Sequence, residues 1–156
     1  MRKSRPAGCM VALFCLSLTL SPAVAGPQTR FEAQGNGAIT DHQTGLVVLQ
    51  NANCFGPLPW KEALAATRQL AHGACGLTDD SQPGAWRLPT RGELLQLMAW
   101  KSTPDFSGAQ PKNYWSSTPV DNAPDNAWLV LLSNGYVSYH LKTSAAHLWP
   151  VRSSHP

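Results

Sequence analysis

A chain of 156 residues with a formal charge of +3 invites a reading as a basic protein, and the placement of that charge excludes it. Arg2, Lys3 and Arg5 precede an apolar stretch, Met10 to Leu20, and Ala23-Val24-Ala25 fits a signal-peptidase site before Gly26. Residues 1–25 are therefore expected to be a signal peptide, and the remaining 131 residues hold 9 Lys+Arg against 9 Asp+Glu.

A neutral chain with singly scattered basic residues is not a general nucleic-acid binder, which needs clustered Lys/Arg. The leader's apolar run falls short of the about 20 residues that span a bilayer, so no membrane insertion is expected after cleavage. Cys9 precedes the apolar run, which argues against a lipoprotein. The localisation implied is exported, either periplasmic or at the cell surface. Cleavage leaves Cys54 and Cys75, and two cysteines in an exported chain read as one disulfide. The competing reading, a pair of metal ligands, supplies too few groups for structural zinc.

In chain order, residues 26–37 are polar and Gly/Gln-rich and read as a flexible N-terminal segment with little structure before Ala38. Asp41-His42-Gln43-Thr44-Gly45 reads as a turn, and Leu46-Val47-Val48-Leu49 as a β-rich run. A first helix should begin near Pro59, placed at position N1, and stop near Gly73, with Trp60, Ala63, Leu64, Thr67, Leu70 and Ala71 at helical spacing. The cysteines flank this helix and can meet only if both flanking segments fold back along it. Leu77 to Ala85 reads as a loop.

The run Trp86-Arg87-Leu88-Pro89-Thr90-Arg91-Gly92-Glu93 carries a helix start. Thr90 and Glu93 have capping-box spacing, and Pro89 favours an extended Leu88. The second helix is predicted over Arg91 to Trp100. Tyr114 to Thr118 should be a strand. Ala127 to Ser133, almost wholly apolar, fits a central strand covered on both faces. Asn134-Gly135 suits a type I′ hairpin turn, and Tyr136 to Leu141 returns with alternation. A last strand is expected over His147 to Arg152. Early helices and a late antiparallel sheet give the class α+β.

Several blocks taken together resemble one family. They are Thr44-Gly45-Leu46; Asn51-Ala52-Asn53-Cys54-Phe55-Gly56 with Trp60 and Ala63-Leu64; Cys75-Gly76-Leu77-Thr78-Asp79; and Trp86-Arg87-Leu88-Pro89-Thr90 with Glu93-Leu94. Tyr114-Trp115-Ser116-Ser117-Thr118, Ala127-Trp128 and Trp149-Pro150-Val151-Arg152 continue the match. Over residues 38–153 the chain resembles the Lcl C-terminal domain family of exported bacterial proteins, named after a collagen-like adhesin.

The resemblance implies a C-type-lectin-like domain related to the formylglycine-generating-enzyme fold, with two helices packed on a twisted antiparallel sheet, long loops and one disulfide. Family members often carry a cysteine on the first helix and another before the final Val-Arg. Here Thr67 and Pro150 stand at those positions, and Cys54–Cys75 fits a subgroup. Val48-Leu49 departs from the aromatic residue common after Thr-Gly-Leu.

The formylglycine-generating enzymes depend on late cysteines, and this chain has none after Cys75. Nor does it hold a Gly-x-Ser-x-Gly elbow or a His-Glu-x-x-His motif. His42, His72, His140, His147 and His155 are far apart in sequence; His140 and His147 could face each other across adjacent strands, and read as a surface pair before a metal site. Asp79-Asp80-Ser81 and Asp121-Asn122 with Asp125-Asn126 offer calcium's oxygen ligands, but these are also ordinary turn formers, and no cofactor is expected. Arg87 and Arg91 read as holding the helix entry against the sheet.

Trp60, Trp86, Trp115 and Trp128 read as core, whereas Trp100 and Trp149, at element ends, read as partly exposed. Tyr136 and Tyr139 are the candidate ligand residues, with Trp86, Arg87, Leu88, Pro89, Thr90, Glu93 and Trp115 as framework. The function expected is a non-enzymatic exported module that binds a protein or a glycan. An assembly component of an envelope complex is the alternative, and an enzyme the last. At least one relative, the adhesin, implies sulfated-glycan binding.

Overall fold

The computed structural model describes residues 29–154. The expected signal peptide, with Cys9 and Cys15, and also His155, lie outside the described residues. Nine strands and two helices follow in order: β1 Phe31–Ala33, β2 Ala38–Asp41, β3 Leu46–Leu49, β4 Leu58–Pro59, α1 Trp60–Gln69, α2 Arg91–Trp100, β5 Asn113–Pro119, β6 Asn126–Leu131, β7 Tyr136–Leu141, β8 Ala145–Ala146 and β9 Val151–Ser153. The class is α+β, but the strands form three sheets instead of one. Their orders are β1-β2-β3-β9, β4-β8 and β5-β6-β7, with every strand pairing antiparallel.

The three-stranded sheet divides the interior. Its register pairs Tyr114 with Val130 and Val130 with Val137, whereas Trp115 pairs with Leu129. Successive side chains on a strand point to opposite faces. One face therefore carries Tyr114, Val130 and Val137 into the larger core, with Leu94, Leu97 and Trp100 of α2 and with the four-stranded sheet. The other face carries Trp115, Ala127 and Leu129 into a smaller core with Ala63 of α1, Leu88 and Leu148. The continuous apolar run of β6 is the consequence of having a core on each side.

The second helix has the predicted limits, and its capping box is complete: Glu93 N–H donates to Thr90 Oγ1 at 3.2 Å and Thr90 N–H donates to Glu93 Oε2 at 2.7 Å. The first helix is shorter than its pattern suggested. It ends at Gln69, and Pro59 is the cap and not N1. Leu70, the C-cap, is extended and buried in the larger core. The disulfide joins Cys54 and Cys75 with their Cα atoms 5.7 Å apart, clamping the segments on either side of α1. In the chain-entropy model a bridge of this separation contributes about 3 kcal/mol.

Three expectations need correction. The segment 26–37 is not free of structure, because Phe31–Ala33 pairs with β2. Phe31 packs edge-on against Trp100 and Phe106, and Arg30 pairs with the buried Asp41 at 2.9 Å. These long-range contacts outweigh a polar local sequence. The last strand is Val151–Ser153, since residues 147–150 instead run past β5, with His147 bridging Tyr114. The Asn134-Gly135 turn is not type I′: only Gly135, at φ 79°, is left-handed, and the loop runs over four residues, 132–135, with Gly135 N–H donating to Leu131 C=O at 2.8 Å. Lys101, the C-cap of α2, donates to the Leu132 carbonyl, and a Cβ on Gly135 would lie 2.7 Å from Met98 Cε. The helix shapes the turn.

Candidate functional site

The framework run is engaged internally. Arg87 makes a two-pronged ion pair with Glu93, Nη1 to Oε2 at 2.7 Å and Nη2 to Oε1 at 2.8 Å, and its backbone bridges Val151 in both directions. Burial pushes the Glu93 carboxyl up, but the Arg87 guanidinium and the Thr90 N–H outweigh it and hold the group below its ordinary value. Leu88 lies in the smaller core, and the Pro89 carbonyl accepts from Ser117 N–H at 2.8 Å. Trp86 and Trp115 are fully buried, and each indole N–H has an acceptor, Ser81 Oγ at 3.1 Å and the Leu58 carbonyl at 2.8 Å. A buried indole left without a partner would cost free energy.

The candidate calcium residues do not converge. Asp79 turns inward, accepting from Ser81 N–H and Oγ and from Arg152, while the Asp80 side chain is in solvent. Among the described residues no three His, Cys, Asp or Glu side chains gather on a metal-sized site. His140 and His147 also stand apart. His140 pairs with Ala127 on the sheet, whereas His147 stacks on Tyr114 with Nδ1 3.0 Å from Asn53 Oδ1. Burial, aided by the nearby Lys112 charge, lowers the His147 pKa, and burial raises that of the Tyr114 phenol.

The tryptophans are sorted differently from expectation. Trp100 and Trp149, placed at element ends, are buried. Trp60 and Trp128, inside elements, are only half-buried, each with a cation over its ring: Lys142 Nζ over Trp60 at 4.6 Å and Arg91 over Trp128 at 4.9 Å. Position in an element sets the direction of a side chain, and not whether anything covers that direction.

Tyr136 and Tyr139 are both exposed, at 65% and 53%, but the register separates them. Tyr139 pairs with Trp128 and Tyr136 with Leu131, so they lie on opposite faces of the sheet. Tyr139 is instead part of an aromatic surface that sequence spacing could not assemble. Its ring meets that of Trp128 edge-on at 5.4 Å. Leu141, 55% exposed and paired with Asn126, continues the same face. Arg91, brought by the N-terminus of α2, closes one end. Among the described residues no carboxylate pairs with Arg91, whose backbone N–H donates to Thr118 Oγ1.

At the other end an open depression of about 520 Å³ is lined by Lys61, Pro124, Asp125, Leu141, Lys142 and Thr143. Volumes in this range suit small ligands. The arrangement offers stacking, hydrogen bonding and positive charge, without a nucleophile beside a base. Among the described residues no helix is long and apolar enough to cross a membrane.

Fold and surface together define an α+β domain with a disulfide clamp and one aromatic–basic face. The chain belongs to the Lcl C-terminal domain family, whose model matches residues 37–152. No curated protein matches it.

Proposed function

We propose that this domain is a non-enzymatic module, exported to the periplasm or the cell surface, that binds a glycan through Trp128, Tyr139 and Arg91. The observation that carries the reading is the half-buried Trp128 ring held between Arg91 and Tyr139, in a molecule whose four fully buried or nearly buried tryptophans serve the interior. A pyranose ring offers an apolar C–H face and an edge of hydroxyls. The indole and phenol rings suit the first, and Arg91, Asn126 and Asp125 the second. A relation to C-type-lectin-like domains, in which ligands are taken by surface loops and strands, accords with this reading. Functions of this kind are carried by sites grafted on a fold.

Glycan-array binding by the chain without its leader tests it. Trp128→Ala and Tyr139→Ala should each reduce the signal at least tenfold, and Tyr136→Ala, on the other face, should leave it unchanged. Binding that survives the first two substitutions sinks the proposal. An array without signal, combined with stoichiometric capture of one envelope protein, would replace it with the assembly role.

A further inference from the structure

The strands that end the sheets are guarded, with one exception. Natural proteins protect an edge strand by keeping it short, charging it, placing proline or a bulge in it, or covering it. β1 has three residues and carries Glu32. β9 has three residues, carries Arg152 and is bridged at Val151 by Arg87. β4 and β8 have two residues each. β5 ends in Pro119, shifts register after Trp115, and is covered by His147, which exchanges backbone hydrogen bonds with it, and by the Pro89 C=O, which accepts from Ser117 N–H.

β7 has none of these devices. Its six residues, Tyr-Val-Ser-Tyr-His-Leu, contain no Lys, Arg, Asp, Glu, Pro or Gly, and it pairs with β6 alone. The exposed large apolar side chains among the described residues, Tyr136, Tyr139 and Leu141, all lie on it.

The hydrogen-bond phase of β7 is set by Lys142 N–H, which donates to the Asp125 carbonyl at 2.8 Å. In an antiparallel ladder the bonded positions alternate, so Tyr136, Ser138 and His140 face β6. The N–H and C=O groups of Val137 and Tyr139 and the N–H of Leu141 point away from it, toward the open edge, whereas the Leu141 C=O already accepts from Ser144 N–H at 2.9 Å.

We propose that β7 is a homodimer interface, pairing antiparallel with β7 of a second copy about a twofold axis through Tyr139. A twofold perpendicular to the sheet keeps each face on its own side, so paired residues must have the same parity. Centring on Tyr139 meets that condition and also aligns the outward backbone groups. Tyr139 then bonds to its own symmetry mate, and on each side the Leu141 N–H donates to the Val137 C=O of the second copy. The side-chain pairs are Tyr with Tyr, Val with Leu, and Ser138 with His140. No like charges meet along the seam, which is what self-pairing of an edge requires and what charged edges prevent.

A second copy is favoured over a foreign strand because this one sequence satisfies both halves of the pairing. The interface is isologous and closes at two subunits. Two sheets of three become one of six, with both Trp128–Tyr139 pairs on the same face. The pairing does not depend on what that face binds.

Sedimentation equilibrium of the leaderless chain, its disulfide intact, tests the proposal over a concentration series. The expected result is twice the monomer mass. Tyr139→Lys places two ammonium groups opposite each other at the axis and should give the monomer mass, with a cooperative thermal transition that no longer shifts with protein concentration showing that the fold persists. Tyr139→Cys should cross-link to itself under mild oxidation, much faster than Tyr136→Cys. A wild-type chain that stays monomeric at the highest attainable concentration overturns the proposal. So does a dimer that persists in Tyr139→Lys without cross-linking through Tyr139→Cys, because its interface then lies elsewhere.

Discussion

Arg152 lies over Trp86 and Arg91 over Trp128 at similar distances, 5.4 and 4.9 Å, yet the two contacts sit in different surroundings. Trp86 is fully buried, its N–H is held by Ser81, and Ser81 is in turn held by Asp79, the carboxylate that Arg152 reaches at 3.4 Å. The Asp79 side chain is almost wholly shielded from water. Trp128 is half-buried, and Arg91 has no carboxylate among the described residues. A guanidinium over an indole is thus a structural rivet where a network surrounds it. It is a surface feature where solvent does. The contact alone assigns neither role; the satisfaction of its neighbours does.

The sharpest way to break this contrast is truncation of the rings. Trp86→Ala removes a fully buried indole and should destabilise the fold by about 3–5 kcal/mol. Trp128→Ala should cost clearly less than that, since part of its ring is already in water. Urea denaturation followed by circular dichroism measures both, and equal losses would refute the distinction.

The arginines supply a smaller version of the same test. Arg152→Ala leaves Asp79 shielded without its cation and should cost about 1–3 kcal/mol. Arg91→Ala should fall within about 0.5 kcal/mol of the parent, as surface changes usually do.

The smallest effect concerns pH in the framework. Glu93 has its carboxyl held below the ordinary value of 4.5 in the folded state, so the folded chain binds fewer protons there than the unfolded chain. That contribution to stability is fully present above the unfolded pKa and is lost as pH falls through the folded one. Asp41, buried but paired with Arg30 and bonded by Thr44 and Gln43, is lowered from 3.8 and acts with the same sign. Glu93→Gln should therefore flatten part of the decline in thermal midpoint between neutral pH and about pH 3. An acid limb unchanged by the substitution would show that the Arg87–Glu93 pair is not energetically coupled to folding.

The framework was legible because its signals are local. Thr90 and Glu93 stand three residues apart and satisfy each other, so the limits of α2 follow from spacing. The limits of β7 follow from its alternation in the same way. Cys54 and Cys75 pair because few alternatives exist. The candidate site was only partly legible. Tyr136, beside the hairpin turn, and Tyr139 were identifiable as candidates, but a separation of three residues on a strand puts their side chains on opposite faces, so they do not share one surface. Trp128 was missed because an apolar strand looks core-like along its whole length. Part of it stays exposed because α2 begins at Arg91, so that a single flexible side chain is all the helix lays over the Trp128 ring. Nothing within β6 records where a distant helix begins.

By itself the sequence determined the α+β class, the capped helix, the disulfide and the family, since each rests on residues near in the chain or on their order. Tertiary structure alone decided which tryptophans face water, that Phe31–Ala33 is anchored by an aromatic cluster, and that β7 ends its sheet uncovered. The physical reason is that local pattern fixes the side to which a residue points, while burial and pairing depend on what another part of the chain lays over that side.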